Sequence, residues 1–127
     1  MPTTIKTLPR YECTIEASNN EDLILALDFA AADNVTPIAL TGIAFRFTVR
    51  ADPDDVAAAI AATTAAGTLA IGTGSPDPTN RLLFLIPQSA MATVAPGAYI
   101  FDVQAIADGV TLTVAYGQIL VAQGVSR

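Results

Sequence analysis

The feature that most constrains this chain is a period of two that returns along most of its length. Phe45, Phe47 and Val49 alternate with Arg46, Thr48 and Arg50. In an extended backbone successive side chains point to opposite sides, so such a run predicts a strand with one face in a core and the other turned out. Tyr11, Cys13, Ile15 and Ala17 alternate in the same way with Glu12, Thr14 and Glu16, and Leu23, Leu25, Leu27 and Phe29 oppose Ile24, Ala26 and Asp28. Cys13 falls on the inward phase and reads as a small buried apolar residue. Tyr99, Phe101, Val103 and Ala105 alternate with Ile100, Asp102, Gln104 and Ile106. Val110, Leu112, Val114 and Tyr116 return after Asp108-Gly109, a two-residue hairpin turn of the type I′ kind. Residues 118–122 continue that strand past Gly117, where a bulge is expected.

Shorter strands are expected over 68–72 and 81–86, separated by the turn-forming Gly74, Ser75, Pro76, Asp77, Pro78 and Asn80. One helical turn is expected over 89–94. The total is about seven strands at short spacing, the rhythm of an all-β, immunoglobulin-like β-sandwich. Gly97, Tyr99 and Phe101 keep the spacing of a tyrosine corner, in which the Tyr99 hydroxyl bonds back to the backbone around residues 89–94. Phe45 and Phe47 are expected to join Phe101 in the core. Two regions break the pattern. Residues 52–66 read as a short helix or loop insertion, with Asp52, Asp54 or Asp55 capping its start, Val56 and Ile60 one turn apart, and Gly67 closing it. Residues 1–10 have no period and carry Pro2 and Pro9, which predicts an extended arm before a single domain over 11–127.

Charge narrows the partners. Only 14% of the 127 residues are charged, against roughly 25% in an average soluble domain. Sparse charge leaves apolar surface that tends to be covered, which predicts a homo-oligomer or a place in an assembly. The net charge is −6, and the basic residues Lys6, Arg10, Arg46, Arg50, Arg81 and Arg127 are scattered. Phosphate backbones and anionic lipid both require clustered cations, so no nucleic acid and no membrane partner is expected. Neither uncharged stretch, 56–76 or 82–101, reads as a spanning helix: the first is mostly Ala, Thr and Gly, and the second holds Pro87, Pro96 and Gly97. The start has no apolar run typical of a signal peptide.

Catalytic chemistry is similarly narrowed. The chain has no histidine, so a serine or cysteine nucleophile lacks its usual base, and the one lysine, Lys6, lies on the expected arm. Cys13 is the single cysteine, which leaves no intrachain disulfide and no Cys/His metal site. Glu12 and Glu16 read as outward charges rather than a glycosidase pair. Asp52, Asp54, Asp55 and Asp77 lack the spacing and closing glutamate of a calcium loop. No enzyme, cofactor or metal is expected. A ligand- or carbohydrate-binding module stays open, although the chain has no tryptophan on which a sugar would stack.

The run Thr36-Pro37-Ile38-Ala39-Leu40-Thr41-Gly42 leads into Phe45-Arg46-Phe47-Thr48-Val49-Arg50. It is followed by Pro96-Gly97-Ala98-Tyr99-Ile100-Phe101-Asp102-Val103, Asp108-Gly109, and a terminal Gly117-Gln118-Ile119-Leu120-Val121 with Gly124-Val125-Ser126-Arg127. In this order the chain resembles small immunoglobulin-like virion proteins of tailed bacteriophages and is similar in layout to the N-terminal domain of the phage baseplate upper protein. The resemblance implies a non-enzymatic structural protein of the virion, assembled in the host bacterial cytoplasm. Its partners would be copies of itself and other virion proteins, in the tail or baseplate or, alternatively, as a decoration (cement) protein on the capsid. Docking would use sheet edges and the arm, through Pro2, Thr3, Thr4, Ile5, Lys6, Leu8 and Pro9.

Overall fold

The computed structural model describes residues 10–30, 38–52, 58–74, 77–107 and 109–123. The interface residues expected on the arm, Pro2, Thr3, Thr4, Ile5, Lys6, Leu8 and Pro9, lie outside them. The described elements are β1 (Tyr11–Ser18), β2 (Leu23–Asp28), β3 (Ala44–Arg50), β4 (Ile60–Thr63), β5 (Leu69–Ile71), β6 (Arg81–Ile86), α1 (Gln88–Met91), β7 (Gly97–Ala107) and β8 (Val110–Ala122). They form two sheets, ordered β1-β8-β7-β3-β4 and β2-β6-β5. β1 runs parallel to β8, and the other pairings are antiparallel. This strand order, with β2, β5 and β6 set opposite the sheet of β3, β7 and β8, is that of an immunoglobulin-like β-sandwich. β4 extends the larger sheet as in variable-type domains.

The inward phases meet where the sequence places them. Phe47 on β3 lies edge-on to Phe84 of the opposite sheet, ring centroids 5.2 Å apart, and 5.7 Å from Phe101. Phe101 stands where antibody domains have their second cysteine, so packed rings join the sheets here in place of a disulfide. Phe45 packs on Phe29, which in turn meets Tyr11. The tyrosine corner is present. The Tyr99 hydroxyl donates to the carbonyl of Ala95 at 2.6 Å, one residue beyond the expected 89–94.

Three expectations are corrected. Where residues 52–66 were expected to form a helix or loop insertion, the described part contains β4, paired with β3 from Arg46↔Thr63 to Val49↔Ile60. Ile60 and Ala62 are buried. An Ala/Thr run offers a helix no wide apolar stripe, whereas two apolar residues at period two suffice to dock a short strand on the open edge of β3. Gly67 does have positive φ, 83°, but it closes the β4–β5 turn, donating to Thr64. Asp54, Asp55 and Val56 lie outside the described residues.

The expected bulge at Gly117 sits instead at Val114. Val103 pairs with Ala115 and Gln104 with Thr113, so Val114 has no opposite number, and Val114 and Ala115 are both buried. The phase flips there, which leaves Tyr116 38% exposed rather than inward. Gly117 has another task. A Cβ there would lie 1.8 Å from the Cys13 carbonyl oxygen, so only glycine lets β1 pair along β8. Cys13, the third correction, is exposed rather than buried. It lies on the edge strand of its sheet, where the interior is incompletely covered.

Candidate docking surfaces

The outer face of the three-stranded sheet is set by its register. Ile24 pairs with Leu85, Ala26 with Leu83 and Asp28 with Arg81, while Ala70 of β5 flanks Leu83. Outward positions of a strand facing water normally carry polar side chains. Here Ile24 is 67% and Leu85 43% exposed. Together with Ala26 and Leu83 they make an apolar row across two strands, with Asp22, Ile86 and Pro87 around a hollow at one end. The Asp22 carboxylate accepts from the amide of Gln88 at 2.7 Å and so ties β2 to the start of α1.

The other end of the row is ionic. The Arg81 guanidinium bonds Asp28 through two nitrogens at 2.7 and 3.0 Å and reaches Asp77 at 3.3 Å. That hydrogen bond, with a smaller contribution from the charge itself, holds the Asp28 carboxyl below its ordinary range and pushes Arg81 up. The pair caps the apolar row and fixes the β2–β6 register.

The outer face of the five-stranded sheet differs in kind. Arg46, Thr48 and Arg50 on β3 stand beside Asp102 and Gln104 on β7, and with Ala58 and Ala61 they line a broad, shallow depression. The Arg46 guanidinium donates to Gln104 Oε1, 3.0 Å from Nε. Glu12 and Glu16, the two carboxylates of β1, are exposed on this side. Among the described residues no group of three or more His, Cys, Asp or Glu side chains could hold a metal ion. No helix among them is long and apolar enough to cross a membrane.

The third feature is the gap between the sheets where β1 and β2 form neighbouring edges. Cys13 and Ile15 from β1 and Leu25, Ala26 and Leu27 from β2 surround an apolar cavity of about 110 Å³, floored by Phe84, Phe101, Val103 and Ala115. Leu25, Leu27 and Ile15 are only partly buried, although all three face inward. Burial at the rim pushes the Cys13 thiol up from its ordinary value.

The sequence pointed to the arm and to edges in general. The structure puts Gly97, Tyr99, Phe101, Phe45 and Phe47 where their structural roles require. Of the apolar row only Ile24 was legible, on the face opposite Leu23, Leu25, Leu27 and Phe29; no face was assigned to Leu83 and Leu85 within the strand expected over 81–86. The cavity carried no sequence signal, because it depends on how far β1 and β2 stand apart.

No protein family matches the chain, and no curated protein does. Among solved structures it is similar to a Bacteroides fragilis protein assigned as an α-galactosidase, at 9% identity and TM-score 0.36, over 91% of this chain and 18% of that one. It is also similar to murine CRIg, at 13% identity and TM-score 0.36, over 91% of this chain and 94% of that one. The chain thus spans less than a fifth of the first of these. At such low similarity neither bears on function, and the fold class rests on the strand order.

Proposed function

We propose that the chain is a non-enzymatic structural module of a tailed-bacteriophage virion, part of the tail or baseplate, that works by contacts with copies of itself and other virion proteins. The observation that carries the contact role is the outward row of Ile24, Leu83, Leu85 and Ala26 on the three-stranded sheet. Burying what Ile24 and Leu85 still expose against a partner would stabilise the complex by roughly 0.6–2 kcal/mol each before ordering costs. The chain's low charge supports a permanent contact, and the absence of histidine from the sequence argues against hydrolysis by a serine or cysteine nucleophile. The virion setting is supported by the resemblance to phage modules.

The test is to image and immunoblot purified particles carrying a tagged copy. Label at the tail or baseplate is the expected result; absence of the protein from every purified particle would overturn the reading. A variant carrying both Ile24→Asp and Leu85→Lys, opposite charges on paired positions, keeps the core intact and should stay folded while failing to enter particles. Wild-type incorporation of that variant would remove the apolar row from the interface.

A further inference from the structure

The backbone phase of β2 shows which of its groups await a partner. The Phe29 amide donates to the Asn80 carbonyl at 2.9 Å, one step beyond the Asp28↔Arg81 pair. In an antiparallel ladder hydrogen-bonded and non-bonded pairs alternate. Leu23, Leu25 and Leu27 therefore turn their N–H and C=O groups toward β6, and Ile24, Ala26 and Asp28 turn theirs away. Among the described residues β2 is the end strand of its sheet, so these three residues present a row of donors and acceptors to an open edge. Directly behind that edge lies the apolar cavity of about 110 Å³. It is smaller than the ~150 Å³ cavity that takes a benzene ring, and so suits one aliphatic side chain.

We propose that the N-terminal arm of a second copy of this chain adds as a strand to the free edge of β2 and inserts Ile5 into the cavity between β1 and β2. This deepens the docking role proposed above and rests on it. The arm Met1-Pro2-Thr3-Thr4-Ile5-Lys6-Thr7-Leu8-Pro9 has six residues able to donate between its two prolines, and β2 has six residues. Threonine and isoleucine suit a pleated strand. More than one antiparallel register pairs these backbone groups, and the side chains favour the one with Leu8 opposite Ile24, Lys6 opposite Ala26 and Thr4 opposite Asp28. Both prolines then fall outside the ladder bonds. Thr4, Lys6 and Leu8 meet the three outward-turned residues of β2, Leu8 extends the apolar row beside Ile24, and Lys6 lies diagonal to Asp28. The same register turns Ile5 inward opposite Leu27, on the wall of the cavity. Strand addition of this kind draws affinity from the backbone and specificity from alternate side chains.

The arm comes from a neighbour because of how the chain enters β1. The Tyr11 hydroxyl accepts from the Ala30 amide at 3.2 Å, and its ring lies 5.7 Å from Phe29, so β1 begins beside the finish of β2. To reach its own β2 edge, the arm would have to reverse at Pro9 and Arg10, cross between layers ~10 Å apart, and lie parallel to β2. An arm from a second copy runs antiparallel, the more stable pairing.

Cys13 lines the cavity and is the chain's sole cysteine, which supplies the experiment. In the full-length protein, Ile5→Cys is treated with a thiol-to-thiol crosslinker spanning about the ~10 Å between packed sheets, and products are mapped by mass spectrometry. Linkage of position 5 of one chain to Cys13 of another is expected, lost with Cys13→Ala and weaker for Thr4→Cys, whose side chain faces out. Linkage within one chain, or equal linkage at positions 4 and 5, would overturn the proposal. In sedimentation, Ile5→Asp should weaken self-association roughly 10- to 100-fold; unchanged association would also overturn it. Should these fail while Ile24→Asp with Leu85→Lys still blocks entry into particles, the docking role stands and the arm's part in it falls.

Discussion

The two lateral seams of the sandwich, where an edge of one sheet meets an edge of the other, are closed to different degrees. At the β4–β5 seam the chain passes from sheet to sheet through a tight turn. Thr68 Oγ1 accepts from the Thr63 amide at 3.1 Å, Thr63 Oγ1 accepts from the Ala66 amide at 3.0 Å, and Ile60, Ala62 and Leu69 are buried. At the β1–β2 seam the turn through Asn19 and Asn20 closes only one end. The Asn19 amide donates to Ala122, and its side chain to Val94. Farther along, Ile15, Leu25 and Leu27 remain partly exposed around a cavity. A seam sealed by side chains from its own turn stabilises the monomer, whereas one left apolar and partly exposed is suited to being completed by another molecule.

The largest difference should appear on truncating matched leucines. Leu69→Ala at the closed seam should cost about 3–5 kcal/mol in urea unfolding, as for fully buried leucines, while Leu27→Ala at the open seam should cost about half that. Equal losses would mean that the open seam is already covered. Next in size is Gly117→Ala. The new Cβ collides with the Cys13 backbone, so β1 must shift, at a cost of about 2 kcal/mol or more, and protection of β1 amides from hydrogen exchange should fall ahead of β4. Retained protection in β1 would show that the parallel pairing tolerates a side chain there. Tyr99→Phe lies away from both seams and should cost about 0.5–1.5 kcal/mol, one hydrogen bond, which sets the baseline. The smallest effect concerns pH. The Asp28 carboxyl titrates below its unfolded value, so its contribution is present above pH ~4 and is lost as pH falls through the lower, folded value. Asp28→Asn should flatten that acid limb slightly, the pair being exposed and screened. An unaltered limb would show that Arg81 contributes register alone.

Legibility along the chain followed the strength of local periodicity. β3 and β7 alternate bulky apolar with polar residues, and their faces fall as read. A hairpin also joins β7 to β8 where expected, with Ala107 paired to Val110 and Gly109 at φ 75°; Asp108 lies outside the described residues. β4 was missed because alanine and threonine carry little preference of their own, and its strand state comes from the edge of β3. Tyr116 was assigned the wrong face because one unpaired residue, Val114, inverts every later position. Cys13 kept the inward phase but not the burial, since burial depends on what stands across the seam.

By itself, the sequence determined that this chain alternates into strands, that aromatic residues fill its centre, that Tyr99 forms a corner and that histidine chemistry is closed to it. These follow from the two-residue repeat of an extended backbone and from composition, both local properties. Only the tertiary structure decided that β1 joins β8 in parallel over Gly117, that Ile24 and Leu85 share one exposed row, and that a cavity opens beside β2, the end strand of its sheet among the described residues. Those features arise from pairing between distant segments, where the register of one strand on another and the spacing of two sheets decide which apolar groups are left uncovered.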